Sequence, residues 1–176
     1  MKGVITSCIA ELVEKKFGNE VLTRVLTAAD LPKSVRASMG ADIDDAKVIA
    51  MIGAVCKETN LSQTQVFDAF SEYWVSEFAP RMYGVYYRES TNARDFLSNM
   101  GKVHEKITAS MPNARPPKFD YSWPDTNTML MGYQSDRGLI DLLVSLAKAV
   151  GTYYNTPLQV TKVSSTQIKV TFPKGS

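Results

Sequence analysis

A break in the hydrophobic period near residue 115 constrains the fold of this chain more than any other feature. Before it, apolar residues recur at the spacing of a helix face, and after it they alternate as in strands. The run Arg115-Pro116-Pro117 marks the change. Proline lacks an N–H donor and restricts the residue before it, so this run excludes helix and requires an extended chain.

The upstream part is predicted to be helical throughout. Apolar periodicity sets the helix faces, and Gly, Pro and Asp residues set the ends. The predicted helices run from Val4 to a stop at Gly18, from Val21 to before Pro32, from a cap at Asp44 or Asp45 through Val55, from Ser62 to near Pro80, and from about Thr91 to Met111.

The downstream part is predicted to form two strand pairs with a helix between them. The strands run from Phe119 to Trp123, Met129 to Arg137, Leu158 to Val163 and Gln167 to Phe172, and the helix runs from Gly138 to Gly151. Helices and strands do not alternate along the chain, which favours an α+β fold. We therefore expect one domain over residues 1–176, with a helical N-terminal region (roughly 1–65) and a four-stranded antiparallel sheet with an inserted helix in residues 66–176.

Composition argues against several classes of function. A formal charge of +2 with scattered Lys and Arg gives no basis for binding nucleic acid, and no stretch approaches the ~20 apolar residues of a membrane helix. Glu11 and Glu14 interrupt the N-terminal apolar stretch too early for a secretion signal. Cys8 and Cys56 form no Cys-x-x-Cys motif, so a cysteine zinc site or covalent c-type haem is not expected. We expect a cytoplasmic protein with free thiols.

His104 is the single histidine of the chain, and it lies on an apolar helical stripe that also carries Met100. One histidine cannot build a histidine-rich metal cage, but one neutral imidazole can ligate a haem iron. Taken alone, a histidine on such a stripe is more often a core residue whose ring nitrogens are satisfied by backbone or water.

A second polar feature is the set Tyr133, Ser135 and Arg137. In an extended strand these residues share one face, ~6.6 Å apart, and form a polar row of ~13 Å. Guanidinium and hydroxyl groups suit carboxylates, so this row could hold the two propionates of a haem. The alternative is an ordinary solvated strand face.

Together these features resemble the haem nitric-oxide/oxygen-binding (H-NOX) family, the bacterial relatives of the soluble guanylate cyclase sensor domain. The resemblance spans nearly the whole chain. Its motifs are Met1-Lys2-Gly3, Glu72-Tyr73-Trp74, Val103-His104, Arg115-Pro116-Pro117 and Tyr133-x-Ser135-x-Arg137.

The resemblance implies a b-type haem buried between the two parts of the chain. His104 would be the proximal iron ligand, with Tyr133, Ser135 and Arg137 on the propionates. Pro117 would press the macrocycle out of plane, and Met100 is expected to contact the cofactor. The residues expected on the distal side, by position, are Ile9, Trp74, Phe78, Leu142 and Leu146.

The distal residues predict which gas binds. Family members that hold oxygen have a tyrosine five residues after the motif arginine, and Leu142 occupies that position here. An apolar pocket favours NO and CO over oxygen, which gains from a hydrogen-bond donor. The indole N–H of Trp74 leaves oxygen binding open, and Tyr73 or Tyr83 could supply a donor if the helix phase differs.

By resemblance, the chain is a haem-based NO sensor in which NO releases His104 from the iron. The expected effector is a separate protein, either a sensor histidine kinase or a cyclic-di-GMP enzyme. No Gly-x-Ser-x-Gly motif accompanies the histidine, and Asp44-Asp45 reads as a helix start, so no enzymatic activity is expected. The alternatives are an oxygen-binding haem protein and a domain of the same fold that binds an apolar ligand or partner without haem.

Overall fold

The computed structural model describes residues 1–109 and 111–174. Six α-helices and four strands are present in this part of the chain, with a 3₁₀ helix at Lys33–Ala37 and a π-helical segment at Trp74–Phe78. The helices are α1 (Gly3–Ala28), α2 (Asp45–Thr59), α3 (Gln63–Tyr73), α4 (Ala79–Arg88), α5 (Ala93–Ala109) and α6 (Ile140–Tyr153). The strands are β1 (Lys118–Asp125), β2 (Thr128–Gln134), β3 (Gln159–Ser164) and β4 (Gln167–Thr171).

The predicted stop at Gly18 is confirmed as a break inside α1. Gly18 has φ 85° and ψ 169°, a conformation that L side chains avoid, while the residues on both sides are helical. The predicted cap of α2 is also confirmed, because the Asp44 carboxylate accepts the Ala46 N–H at 2.9 Å. Asn60 then ends α2 in the left-handed conformation.

The prediction that the fourth helix ends near Pro80 is wrong. Pro80 instead lies in the first turn of α4, where a proline is tolerated because its missing N–H needs no partner. The wider π-helical turn of Trp74–Phe78 leads directly from α3 into α4. The chain therefore stays helical to Arg88.

The fifth predicted helix is confirmed as α5. It begins at Ala93 rather than Thr91, because the Asn92 side chain accepts the Asp95 N–H at 2.9 Å and so caps the first turn. Ser110, which falls inside the predicted range, lies outside the described residues.

The sheet is antiparallel with the order β1-β2-β4-β3, and α6 lies in sequence between β2 and β3. The predicted fold class, a helical region plus a four-stranded antiparallel sheet with an inserted helix, is confirmed. Alternate residues of the sheet point into the core, among them Met129 and Met131 of β2 and Ile168 and Val170 of β4. Helices α5 and α6 pack against this sheet.

The predicted end of α6 at Gly151 is wrong by two residues, since the helix continues to Tyr153. Gly151 has a different role. A Cβ atom at this position would lie 2.8 Å from the Thr156 carbonyl oxygen and 2.8 Å from the Leu158 side chain. The chain leaving α6 therefore crosses so close to the helix that only glycine fits.

The chain divides into two compact units. The first comprises Met1–Phe70 with Asn113–Arg115, and the second comprises Ser71–Pro112 with Pro116–Ser176. In the first unit Gly3 packs against the 3₁₀ turn, where a Cβ atom would fall 1.9 Å from the Ser38 carbonyl oxygen. Among the described residues, none of the helices combines the length and hydropathy that crossing a bilayer requires.

Candidate functional site

His104 projects from α5 toward the start of β1. Its Nδ1 lies 3.3 Å from the Pro117 carbonyl oxygen. A carbonyl oxygen can only accept, so Nδ1 carries the proton and donates it. The lone pair of the neutral ring then belongs to Nε2, which is the tautomer that a metal-binding histidine needs.

The surroundings of the imidazole favour its neutral form. Burial lowers the pKa of His104, and the hydrogen bond to the Pro117 carbonyl opposes this shift without cancelling it. The ring also contacts Phe119, with centroids 5.3 Å apart and planes inclined by 34°. The structure therefore holds a neutral, oriented imidazole against an aromatic wall.

Three alternate residues of the segment 117–121 contact the helical turn that ends at His104. The carbonyl of Pro117 accepts from the imidazole, the ring of Phe119 packs on it, and the hydroxyl of Tyr121 accepts the Gly101 N–H at 3.2 Å. Roles for Phe119, Tyr121 and Gly101 were not predicted from the sequence. The signal was available, because Phe119 and Tyr121 share parity with Pro117 and so share a strand face.

The predicted strand row of Tyr133, Ser135 and Arg137 is wrong. Strand β2 ends at Gln134, and Ser135 and Arg137 lie in the turn that leads to α6. The Ser135 hydroxyl accepts the Arg137 N–H at 3.3 Å, and Gly138 at φ 63° completes the turn. These local bonds replace the ladder that strand alternation requires, so the three side chains do not form one row.

Tyr133 nevertheless lies near Phe119 and near the turn. Its ring is 6.4 Å from Phe119, the residue that packs on His104, and its hydroxyl accepts the Leu139 N–H at 3.3 Å. The phenol keeps its own proton for donation. Tyr133 is buried, whereas Ser135 and Arg137 are half-buried in the turn that follows it in the sequence.

The residues predicted for the distal side fall on two elements of the second unit and one of the first. Trp74 and Phe78 bound the π-helical segment and stack on each other, with centroids 5.6 Å apart and planes inclined by 20°. Leu142 and Leu146 are half-buried on α6, which packs against this segment. Ile9 belongs to the first unit, where it is buried on α1, and its role at the cofactor stays a prediction.

Three further residues named from the sequence also lie in the second unit. Met100 is half-buried on α5, one turn before His104, and packs against the core. Tyr83 is half-buried 6.5 Å from Trp74, and burial raises the pKa of its phenol. Tyr73 is buried with its ring 6.5 Å from Phe78. The structure thus places both candidate tyrosine donors beside the aromatic pair of the π-helical segment.

Comparison with known families decides the assignment. Residues 2–162 match the family described as haem-NO-binding, which is most of the chain. The chain belongs to this family. The predicted H-NOX membership is therefore confirmed, and H-NOX domains are haem-binding gas-sensor domains.

Solved H-NOX structures share the fold. An H-NOX protein from S. oneidensis in the Fe(II)NO ligation state is 13% identical, with a TM-score of 0.88 over 99% of this chain and 100% of that chain. The Fe(II) unliganded H-NOX protein from K. algicida is 19% identical, with a TM-score of 0.84 over 99% and 98%. An oxygen-binding H-NOX domain related to soluble guanylate cyclases is 19% identical, with a TM-score of 0.84 over 99% and 96%.

The side chains of this H-NOX domain fit a haem by their chemistry. The described residues contain no group of three or more His, Cys, Asp or Glu that could hold a bare metal ion. They do offer one oriented imidazole with Nε2 as its acceptor, and a turn with hydroxyl and guanidinium groups. One axial nitrogen together with donors for carboxylates is the set that a haem requires.

Proposed function

We propose that this domain binds a b-type haem through His104 and senses nitric oxide. The observation that carries this proposal is the hydrogen bond from His104 Nδ1 to the Pro117 carbonyl oxygen at 3.3 Å. It fixes the tautomer and the ring direction before any cofactor arrives, and it increases the basicity of Nε2. Because family membership already implies haem, the histidine oriented in this way is the natural axial ligand.

The turn between β2 and α6 would hold the propionates. Tyr133 and Ser135 contribute hydroxyls, and Arg137 contributes a guanidinium fork that pairs well with a carboxylate. The three residues lie within five positions of the chain, Tyr133 at the end of β2 and Ser135 and Arg137 in the turn, whose shape is held by hydrogen bonds from the Arg137 N–H to Ser135 and from the Leu139 N–H to Tyr133. The rigid ring of Pro117 would contact the macrocycle. The carbonyl of the same residue orients His104.

The distal residues favour NO, and also CO, over oxygen. When bound, the haem would supply a ferrous iron that can bind a diatomic gas. Leu142 and Leu146 on α6, with the stacked Trp74 and Phe78, present apolar surface. Such side chains give a bound gas no hydroxyl donor, and bound oxygen needs a donor far more than NO does.

His104 would also be the signalling residue. His104 would link the haem to α5, so loss of this link when NO binds would leave α5 free to move relative to the residues that contact it. A two-state element of this kind can be read by a partner that prefers one arrangement. By resemblance to the family, the partner is a separate sensor histidine kinase or cyclic-di-GMP enzyme.

Replacing His104 with glycine tests the proposal. The wild type loaded with haem should show a Soret band at roughly 400–430 nm. His104→Gly should lose the protein–iron bond, and added imidazole should restore the wild-type ferrous spectrum by occupying the vacated space. Arg137→Ala is the matched control, since it should keep the spectrum while releasing haem faster. A ferrous spectrum that His104→Gly leaves unchanged without imidazole would show that the ligand assignment is wrong.

A second candidate function is oxygen binding, and one observation favours it. Trp74 carries an indole N–H, and the Tyr83 ring lies 6.5 Å from it in a half-buried position. Either group could donate to a bound oxygen. Exposing the ferrous protein to air distinguishes the candidates, because a persistent oxygen-bound spectrum supports this function and rapid oxidation supports the NO sensor.

A further inference from the structure

One hydrogen bond ties the histidine turn to the sheet through a side chain. The Tyr121 hydroxyl accepts the backbone N–H of Gly101 at 3.2 Å. Gly101 lies in the interior of α5, where an N–H ordinarily donates to the carbonyl four residues earlier, here that of Leu97. The Tyr121 side chain therefore bonds to a backbone N–H that in an ordinary helix bonds only within the helix.

This hydrogen bond lies one helical turn from the histidine, on the same face of α5. Gly101 precedes His104 by three residues, so both lie on the same face of α5, one turn apart. Tyr121 follows Phe119 by two residues, so both side chains point from β1 to the same face. The backbone of the histidine turn is thus anchored by the strand that also contacts the imidazole.

The environment of Tyr121 keeps this anchor in its neutral, protonated form. The side chain is half-buried and packs against the core of the second unit. Burial raises the pKa of the Tyr121 phenol, and the Asp120 charge adds to this rise. The hydrogen bond from the Gly101 N–H lowers the pKa without cancelling the rise. At neutral pH the oxygen is therefore a hydroxyl oxygen.

We propose that Tyr121 is a positioning residue for His104, whose hydroxyl holds the Gly101–His104 turn of α5 against β1 and so opposes release of the histidine. This inference rests on the proposed function, because it assigns a role within the same site. A phenylalanine at position 121 would fill the same space in the core as the tyrosine ring. The hydroxyl, not the ring, is what the proposal concerns.

Tyr121→Phe removes the hydroxyl alone, and Tyr154→Phe is its matched control. The Tyr154 hydroxyl also bonds a backbone group of the same unit, donating to the Tyr87 carbonyl at 3.3 Å. That bond makes no contact with the histidine turn. Each variant is compared with the wild type for two quantities, the hydrogen-exchange rate of the Gly101 amide in haem-free protein and the rate at which the ferrous protein loses the His104–iron bond after NO is added.

Tyr121→Phe should raise both rates by about fivefold, the factor that corresponds to the net free energy of one hydrogen bond, about 1 kcal/mol. Tyr154→Phe should leave both rates within error of the wild type. The positioning role is refuted if Tyr121→Phe binds haem normally and releases His104 at the wild-type rate or more slowly. It is also refuted if Tyr154→Phe changes the release rate equally.

Failure of the proposed function would look different. In that case the wild type itself, supplied with haem, would show no Soret band or no bond to His104, and the positioning role would fall with it. The Gly101 exchange rate in haem-free Tyr121→Phe needs no cofactor. An unchanged exchange rate there would refute the anchoring hydrogen bond alone.

Discussion

At the scale of single residues, the central result is the orientation of His104. The sequence predicts that this side chain points into the interior, but it cannot predict which ring nitrogen is occupied. That depends on the Pro117 carbonyl, which lies 3.3 Å from Nδ1 although it is 13 residues away. Because Nδ1 donates to this carbonyl, Nε2 keeps the lone pair that a metal ligand needs, so a contact from a distant residue makes a core histidine a candidate ligand.

Leu142 carries the prediction about gas selectivity. Leu142→Tyr would add a hydroxyl donor at the half-buried position that bears a tyrosine in oxygen-holding family members. A hydrogen bond to a partly charged acceptor contributes ~1.5–3 kcal/mol, so oxygen affinity should rise by about tenfold or more. The measurement is the lifetime of the oxygen-bound spectrum of ferrous protein in air.

Leu142→Phe is the control for size, because it adds an aromatic ring without a hydroxyl. It should oxidise in air as the wild type does. If Leu142→Tyr gains no oxygen binding while it still takes up haem, Leu142 does not face the gas. The donors beside Trp74 would then determine selectivity.

At the scale of elements, α5 contacts strand β1 and the turn that follows β1 at two places along the helix. Near its N-terminus, Arg94 donates to the Thr126 carbonyl at 2.7 Å, in the turn between β1 and β2. Its guanidinium also lies over the rings of Trp123 and Phe172, at 5.0 and 4.7 Å. Farther along, the histidine turn contacts β1. The first attachment is structural, and the second belongs to the site.

Arg94→Met tests the first attachment. Methionine keeps an apolar stem of similar length but removes the charge and the donors, so the free energy of unfolding should fall by about 1–2 kcal/mol. Arg88→Met, at an exposed position in the last turn of α4, should change it by less than about 0.5 kcal/mol. Chemical denaturation of the three proteins measures both effects. Equal stability of Arg94→Met and the wild type would contradict a stabilising role for Arg94.

Element ends were the least predictable part of the fold. Pro80 reads as a stop, yet it occupies a first turn because a π-helical segment precedes it. Gly151 also reads as a helix stop, but glycine is needed there because the Thr156 carbonyl oxygen approaches too closely for a side chain. Strand β2 ends at Gln134 because Ser135 bonds to the backbone of Arg137. Each error arose where a local or tertiary contact, invisible to periodicity, outweighed the pattern.

At the scale of the molecule, the fold class and the order of the long helices and strands could be predicted from periodicity together with the Gly, Pro and Asp residues that end the elements. The break at Arg115-Pro116-Pro117 separates helical from strand periods, and the antiparallel sheet with its inserted helix follows. The neighbours of His104 could not be predicted in this way, because Phe119 and Tyr121 meet α5 only through tertiary packing. Membership of the haem-NO-binding family then indicates that the ligand of this arrangement is a haem.

The central claim is that His104 is a haem ligand whose bond is lost when NO arrives. The absorption spectrum of the ferrous protein, recorded before and after adding NO without oxygen, tests this most directly. We expect a Soret band at roughly 400–430 nm that moves to shorter wavelength with NO as the histidine leaves the iron. A protein that stays colourless with haem, or whose histidine stays bound after NO, would contradict it.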